Sequence, residues 1–293
     1  MSFTLAVVQL ELNGSYERNL AKCLDATREA VGRGAEVVCL PELFGGPYFC
    51  QTEDTAHFSR AEPADGPSFQ AFSALARELG AAVVVPFFEK RMPGVYHNSA
   101  LIVDADGSAA GLYRKMHIPD DPHFYEKYYF TPGDLGFQTV RTTKGLLGPL
   151  ICWDQWYPEA ARLTALGGAE VLLYPTAIGW HPAERARYGE LQHGAWMRSM
   201  QGHAVANGVF VAAANRVGLE QYVEGTDGIQ FWGASFIAGP QGELLAQAPH
   251  DAEDILLARI DTDLIETVRQ NWPFLRDRRI DAYGGITSRS LLP

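Results

Sequence analysis

A cysteine, a glutamate and a lysine, each set just after an apolar run, are the residues of this chain best placed for covalent chemistry. In GPLICWDQWYPEAAR, from Gly148 to Arg162, the run Leu150-Ile151 ends in Cys152, and a helix start follows at Pro158-Glu159. Strand, sharp turn and helix display a nucleophile at the carboxyl edge of a sheet, and a nearby helix amino terminus lowers a thiol pKa towards the thiolate. A cysteine in such a run is also a common buried filler, so its role depends on partners elsewhere. A thiol nucleophile needs a base to take its proton and return it to a leaving group. It also needs positive charge or N–H donors where an oxyanion forms. Glu42 follows the run Val37-Val38-Cys39-Leu40-Pro41, where partial burial would raise its pKa towards neutrality and suit it as that base. The plainer reading of Glu42 is an exposed loop residue. Lys115, in LYRKMHIPD, would lower the thiol pKa and stabilise the oxyanion; standing alone it would read as a surface lysine. Glu126, in HFYEKYYFTPGD, is a carboxylate among aromatic residues that needs a partner, and Lys115 is the candidate. A Cys–His pair through His117 is the other arrangement these residues allow. His193 and His203 fall on or beside a long helix in structural roles.

The elements that must hold these groups alternate in type, and their order occurs twice. The first half gives a strand TLAVVQLEL, a helix from Ser15 to Gly34, a strand AEVVCLPEL, a helix from Pro67 to Gly80, and a strand AAVVVPFFEKR. Two more strands, HNSALIVDADGSAAGLYRK, turn at Asp-Gly. The second half gives a strand GPLICWD, a helix from Tyr157 to Gly168, a strand AEVLLYPTA, and a helix from about Ala183 to Asn207. VFVAAANRV and a hairpin ASFIAGPQGELLAQ follow. GRGAEVVCLPE and LGGAEVLLYPT correspond locally, each a glycine-ended helix followed by a strand closing on proline. These strands are nearly continuous apolar runs, which implies burial on both faces. The expectation is an α/β protein built as a four-layer α-β-β-α sandwich from an internally duplicated unit, with Glu42, Lys115 and Cys152 at strand ends. Residues 1–262 form its single domain, and 263–293 a helix and tail.

Composition narrows the partners. The net charge of −11 argues against nucleic acid and against an anionic membrane. No apolar run is long enough to span a bilayer, and the amino terminus reads as a first strand rather than a leader. The four cysteines show no paired spacing, which fits reduced thiols in a cytoplasm rather than disulfides or a zinc knuckle. There is no G-x-S-x-G elbow, P-loop, Rossmann glycine fingerprint or H-E-x-x-H pattern to favour another chemistry, and the thiol chemistry needs neither a metal nor an organic cofactor.

PELF around Glu42, YRKMHIP around Lys115 and CWDQWYPEAAR around Cys152 resemble, in order and spacing, the three catalytic blocks of the nitrilase (carbon–nitrogen hydrolase) superfamily. The resemblance covers essentially the whole chain and implies a Glu-Lys-Cys triad on an α-β-β-α fold, with Glu126 as the supporting glutamate. FGGPYFCQ, FYEKYYFTPGDLGF, ICWDQWYPEAARL, LLYPTAIGW and MQGHAVANGVF are similar to the branch that acts on N-carbamoylputrescine. That branch implies release of putrescine, ammonia and carbon dioxide and a small cationic carbamoyl-amine as substrate. The family implies a homo-oligomer, and the tail from Asp261, rich in arginine and aromatic residues, is a candidate to reach across its interface; a surface helix and tail packed on its own subunit is the other reading. A backbone N–H, that of Trp153, would join Lys115 at the oxyanion. After PTAIG, where plant-type members carry Ser-Glu-Pro, this chain has Trp180-His181-Pro182-Ala183-Glu184. Glu184 would then meet the distal amine unless other groups do, with His181 beside it and neutral. Tyr48, Trp153 and Trp180 are candidate apolar or cation–π walls; packing at the mouth of the site is their other reading. Two alternatives stand. One is a β-ureidopropionase-like or ω-amidase-like hydrolase, with Arg185 and Arg187 clamping a substrate carboxylate. The other is a scaffold of the same fold that binds without catalysis.

Overall fold

Strand β1 (Ser2–Gln9) shows how the core is built. Leu5 and Val7 enter one buried cluster while Ala6 and Val8 enter another, following the two-residue period of a strand covered on both faces. The structure is a computed structural model and describes residues 2–222 and 224–292. After β1 the first half continues with α1 (Tyr16–Gly32), β2 (Val37–Cys39), α2 (Pro67–Leu79), β3 (Ala82–Met92), β4 (Val95–Val103) and β5 (Ala109–Arg114). A one-turn helix, α3 (Glu126–Tyr129), leads into β6 (Val140–Arg141), β7 (Leu146–Pro149), α4 (Pro158–Leu166) and β8 (Val171–Thr176). Then come β9 (Gly179–Trp180), α5 (Pro182–Asn207), β10 (Phe210–Asn215), β11 (Val217–Glu220) and β12 (Ile229–Trp232). The hairpin β13 (Phe236–Ala238) and β14 (Leu244–Gln247) precedes β15 (Asp254–Asp261) and α6 (Thr262–Asn271).

The duplication is visible strand for strand. One six-stranded sheet has the order β15-β1-β2-β3-β4-β5 and the other β6-β7-β8-β10-β13-β14. At every matched place the pairing has the same sense: antiparallel at the first edge, then parallel twice, then antiparallel twice. α1 and α2 cover the outer face of the first sheet through Cys23, Ala26, Ala30, Phe72, Leu75 and Ala76. On the second sheet, Ala160, Ala161 and Ala165 of α4 pack with Trp196, Met200 and Ala204 of α5 in the cluster that also holds Leu5 and Val7. The four layers are therefore α-β-β-α, as expected.

Differences from the sequence reading are local. Ser15 is the cap of α1, its side chain accepting from Arg18 N, so the helix proper begins at Tyr16. The expected strand GPLICWD stops at Pro149 because Cys152 has φ +40°, in the left-handed region that breaks a ladder, and a 3₁₀ turn runs from Cys152 to Trp156. A small third sheet, β11-β12-β9, was not anticipated. It needs glycine at Gly179, where a Cβ would collide with the Gln230 carbonyl. The helix placed after residue 262 begins at Thr262, capped by Asp261. Beyond it Trp272, Phe274, Ile280, Ile286, Leu291 and Leu292 are exposed. No helix among the described residues is long and apolar enough to cross a membrane.

Candidate active site

The parallel strands β2 and β7 end on the same side of the sandwich, and the chain turns sharply after each. Glu42 lies in the turn after β2, Lys115 directly follows β5, and Cys152 follows β7. Lys115 is held by its backbone as well, its N–H donating to Asn98 O at 2.9 Å as an extension of the β4–β5 pairing. Its ammonium, fully buried, lies 2.8 Å from Glu42 Oε1 and 2.7 Å from Glu126 Oε2. Asn98 Nδ2 donates to Glu42 Oε1 at 2.7 Å, and the Tyr48 hydroxyl donates to Glu126 Oε1 at 2.7 Å. Glu42 Oε2 is the one carboxylate oxygen of this group left buried without a hydrogen-bond partner among the described residues, which leaves a lone pair free to take a proton.

The turn that carries Cys152 is fastened by Asp154. Its Oδ2 accepts from Ile151 N at 3.0 Å and from the Tyr113 hydroxyl at 2.7 Å. Its Oδ1 accepts from His117 N at 3.0 Å and pairs with His117 Nδ1 at 2.7 Å. A single buried carboxylate thus joins the thiol's turn to β5 and to the segment just after Lys115. His117, stacked on Tyr157 with ring centroids 3.6 Å apart, is tied into this brace. His203 is likewise structural, its Nε2 meeting Gln155 O at 2.8 Å.

Burial dominates the proton affinities. It pushes the Glu42 carboxyl up to about 7 against the opposing pull of Lys115. Burial would drive the Lys115 ammonium down, but the Glu126 and Glu42 carboxylates outweigh it and hold the pKa well above the ordinary lysine value. The Cys152 thiol corrects the expectation of a lowered pKa. Desolvation, then the Glu42 charge, pushes it well above the usual thiol range, and Lys115 only partly opposes them. The resting group is therefore a neutral thiol beside a carboxylate that titrates near neutrality, an arrangement in which any attack by sulfur would need its proton removed in the same step.

Cys152 and Glu126 open onto a cavity of about 470 Å3, whose walls include Asp121, Trp153, Trp156, His181, Glu184, Gln192 and Trp232. Trp153, His181 and Glu184 of the expected pocket residues are there. Tyr48 and Trp180 are not. Tyr48 is buried beneath Glu126, against Phe124 and Phe231, and Trp180 packs on Trp232 with its indole N–H donating to Gly189 O at 3.1 Å. Burial and the neighbouring His123 lower the His181 pKa, so the ring is neutral at pH 7. A second cavity, of about 560 Å3, lies behind the Glu42 loop between Tyr16, Phe44 and Phe87 and touches none of the four reactive groups. Asn98, Asp154, Arg216 and Glu220 were missed in the sequence, where nothing local marks them.

The carbon-nitrogen hydrolase family model matches residues 4–270. The chain belongs to that family. It is 45% identical over 279 residues to an N-carbamoylputrescine amidase of Arabidopsis thaliana, covering 94% of this chain and 92% of the relative. A citrullinase of Francisella tularensis subsp. tularensis is 41% identical, covering 97% and 98%. The crystal structure of a carbon-nitrogen hydrolase from Helicobacter pylori G27 superposes with a TM-score of 0.95 at 45% identity, covering 99% of this chain and 100% of that one.

Proposed function

We propose that this chain hydrolyses N-carbamoylputrescine to putrescine, ammonia and carbon dioxide through a thioester on Cys152. The observation that carries the reading is the charge of the cavity. Asp121 and Glu184 line it beyond Glu126, whose charge is matched by Lys115, and no lysine or arginine stands among its described wall residues. A cleft with that sign attracts a cationic chain beyond a neutral ureido group, and the Trp153 and Trp156 rings suit its passage. The relatives named N-carbamoylputrescine amidase support the same substrate. A carboxylate-bearing substrate would need the cationic clamp, but Arg185 sits 4.5 Å over the Trp180 ring and Arg187 4.8 Å over Tyr188. In an ammonia-release assay the expected order is N-carbamoylputrescine well ahead of citrulline and of N-carbamoyl-β-alanine. Preference for either acid would overturn the substrate.

The chemistry follows from the geometry. Glu42 takes the thiol proton as sulfur bonds to the ureido carbon, and the negative charge moves to the former carbonyl oxygen, which Lys115 and the Trp153 N–H stabilise. The carbon–nitrogen bond then breaks as Glu42 returns the proton to the leaving nitrogen. Water, deprotonated by Glu42, displaces the thiol and completes hydrolysis, and Glu126 keeps Lys115 charged throughout. Because only ionised Glu42 accepts the thiol proton, kcat/KM is expected to rise with pH through a limb near 7 and to fall about tenfold per pH unit below it. A limb near pH 4.5 would show a carboxyl that burial leaves unshifted, and full activity in Glu42→Gln would remove Glu42 as the base.

The enzyme is further proposed to be a homo-oligomer, since Trp272, Phe274, Ile280, Ile286, Leu291 and Leu292 are left exposed on one short tail. Light scattering of the full chain at micromolar concentration should give a multiple of 32.2 kDa; a monomer would refute this. Four buried, unpaired thiols suit a cytoplasm, and recovery of the activity in another cell fraction would exclude it.

A further inference from the structure

Beneath the reactive carboxylates lies a second, fully buried ion pair that the mechanism does not use. Arg216, at the end of β10 in the second half of the duplicated fold, is 0% exposed, and Glu220 is 3% exposed. Arg216 Nη1 lies 2.8 Å from Glu220 Oε1. The rest of the guanidinium faces the loop of the first half. Its Nε donates to Glu42 O at 3.1 Å, and its Nη2 donates to Leu43 O and, at 3.0 Å, to Gly46 O. The other oxygen of Glu220 accepts from Tyr48 N at 2.6 Å.

We propose that the Arg216–Glu220 pair is the positioning device for both active-site carboxylates, holding Glu42 by its own carbonyl and Glu126 through Tyr48. This rests on Glu42 being the base. Three features carry it. First, Leu43 has φ +49°, a conformation a leucine keeps only where its surroundings over-determine it, and Arg216 binds the carbonyl of that residue and of the one before it. Second, the chain of contacts is unbroken: Glu220 fixes the backbone of Tyr48, whose hydroxyl donates to Glu126, which holds Lys115. Third, a buried ion pair is a weak source of net stability, so what this one supplies is geometry. Only the planar guanidinium fork reaches three carbonyls and a carboxylate at once; an ammonium on a flexible stem does not.

Arg216 meets Glu42 at its backbone carbonyl, whereas the carboxylate itself is bonded to Lys115 and to the Asn98 amide. The clamp therefore acts through position, and the readouts separate that from a structural role. Arg216→Lys is expected to lower kcat about 100-fold with KM changed by less than about threefold, the scale of an ångström-level misplacement. The limb near pH 7 should also disappear, kcat/KM instead climbing steadily with pH because the thiol must ionise without its base. Glu220→Gln should move both readouts the same way, with a loss of about tenfold. A folded Arg216→Lys protein that keeps the limb near 7 and loses rate only in proportion to its folded fraction overturns the proposal. Should Arg216→Lys fail to fold by circular dichroism, Glu220→Gln decides: loss of the limb supports the clamp and an intact limb refutes it. Wild-type enzyme without a limb near 7, or full activity in Glu42→Gln, would instead remove Glu42 as the base and leave the clamp without a function.

Discussion

Cys152→Ala is expected to lose turnover by about 10^5-fold while the protein stays folded, the scale seen when a covalent nucleophile is deleted from an otherwise intact site. Cys152 is 5% exposed, and its thiol's one hydrogen bond among the described residues is a 3.8 Å contact to Ala177 O, so little structure depends on it. The turn around it is held by Asp154. Removing one sulfur should cost about 1 kcal/mol or less. The same variant should still bind N-carbamoylputrescine, because the acidic walls are untouched, and ligand at 100 times its Kd should stabilise it by about 2.7 kcal/mol. Steady-state ammonia release and a thermal shift measured side by side check both halves. Substantial turnover by Cys152→Ala would end the thioester mechanism. It would also revive the reading of Cys152 as core filler.

Lys115→Met is expected to fail in two ways. It leaves Glu42 Oε1 and Glu126 Oε2, each now within 2.8 Å of one ammonium, facing each other in a dry site. Breaking a buried pair by removing one partner costs about 3–5 kcal/mol. Two like carboxyls so placed cannot both ionise, so their proton affinity rises, Glu42 ceases to serve as base near pH 7, and activity should fall by at least about 10^3-fold. The stability loss has a sign in pH. Carboxyls whose folded pKa is raised above the unfolded value bind protons more tightly when folded, so stability drops as pH rises through that interval. The deficit of Lys115→Met against wild type should therefore be smaller at about pH 5 than at about pH 8 when measured by urea midpoints. A deficit independent of pH would show that the lysine packs the site without neutralising it.

Much of the architecture was legible because it is written locally. The double-sided burial of β1 is a run of apolar residues, the end of α2 is Gly80 with φ +66°, and the repeat of Ala-Glu-Val before β2 and β8 marks equivalent places in the two halves. The third sheet was not legible, since β9 has only two residues and exists through its partner β12. The pocket was half legible. His181 and Glu184 follow a readable loop, whereas Trp180, one residue earlier, turns into the aromatic core.

By itself the sequence determined which chemistry is available: a thiol, a carboxylate and an ammonium at the ends of strands, with a second carboxylate among aromatic residues, in a duplicated α/β chain of net charge −11. Strand period, caps and turn residues act over a few positions, so they survive in the sequence. Tertiary structure alone decided the protonation pattern and the geometry. A carboxyl near 7 and a thiol well above its ordinary range are products of desolvation and of charges brought from other strands. Arg216 and Glu42 lie 174 residues apart and meet only once the two sheets have packed. Proton affinity depends on what surrounds a group in space, and that becomes defined only when the chain has folded.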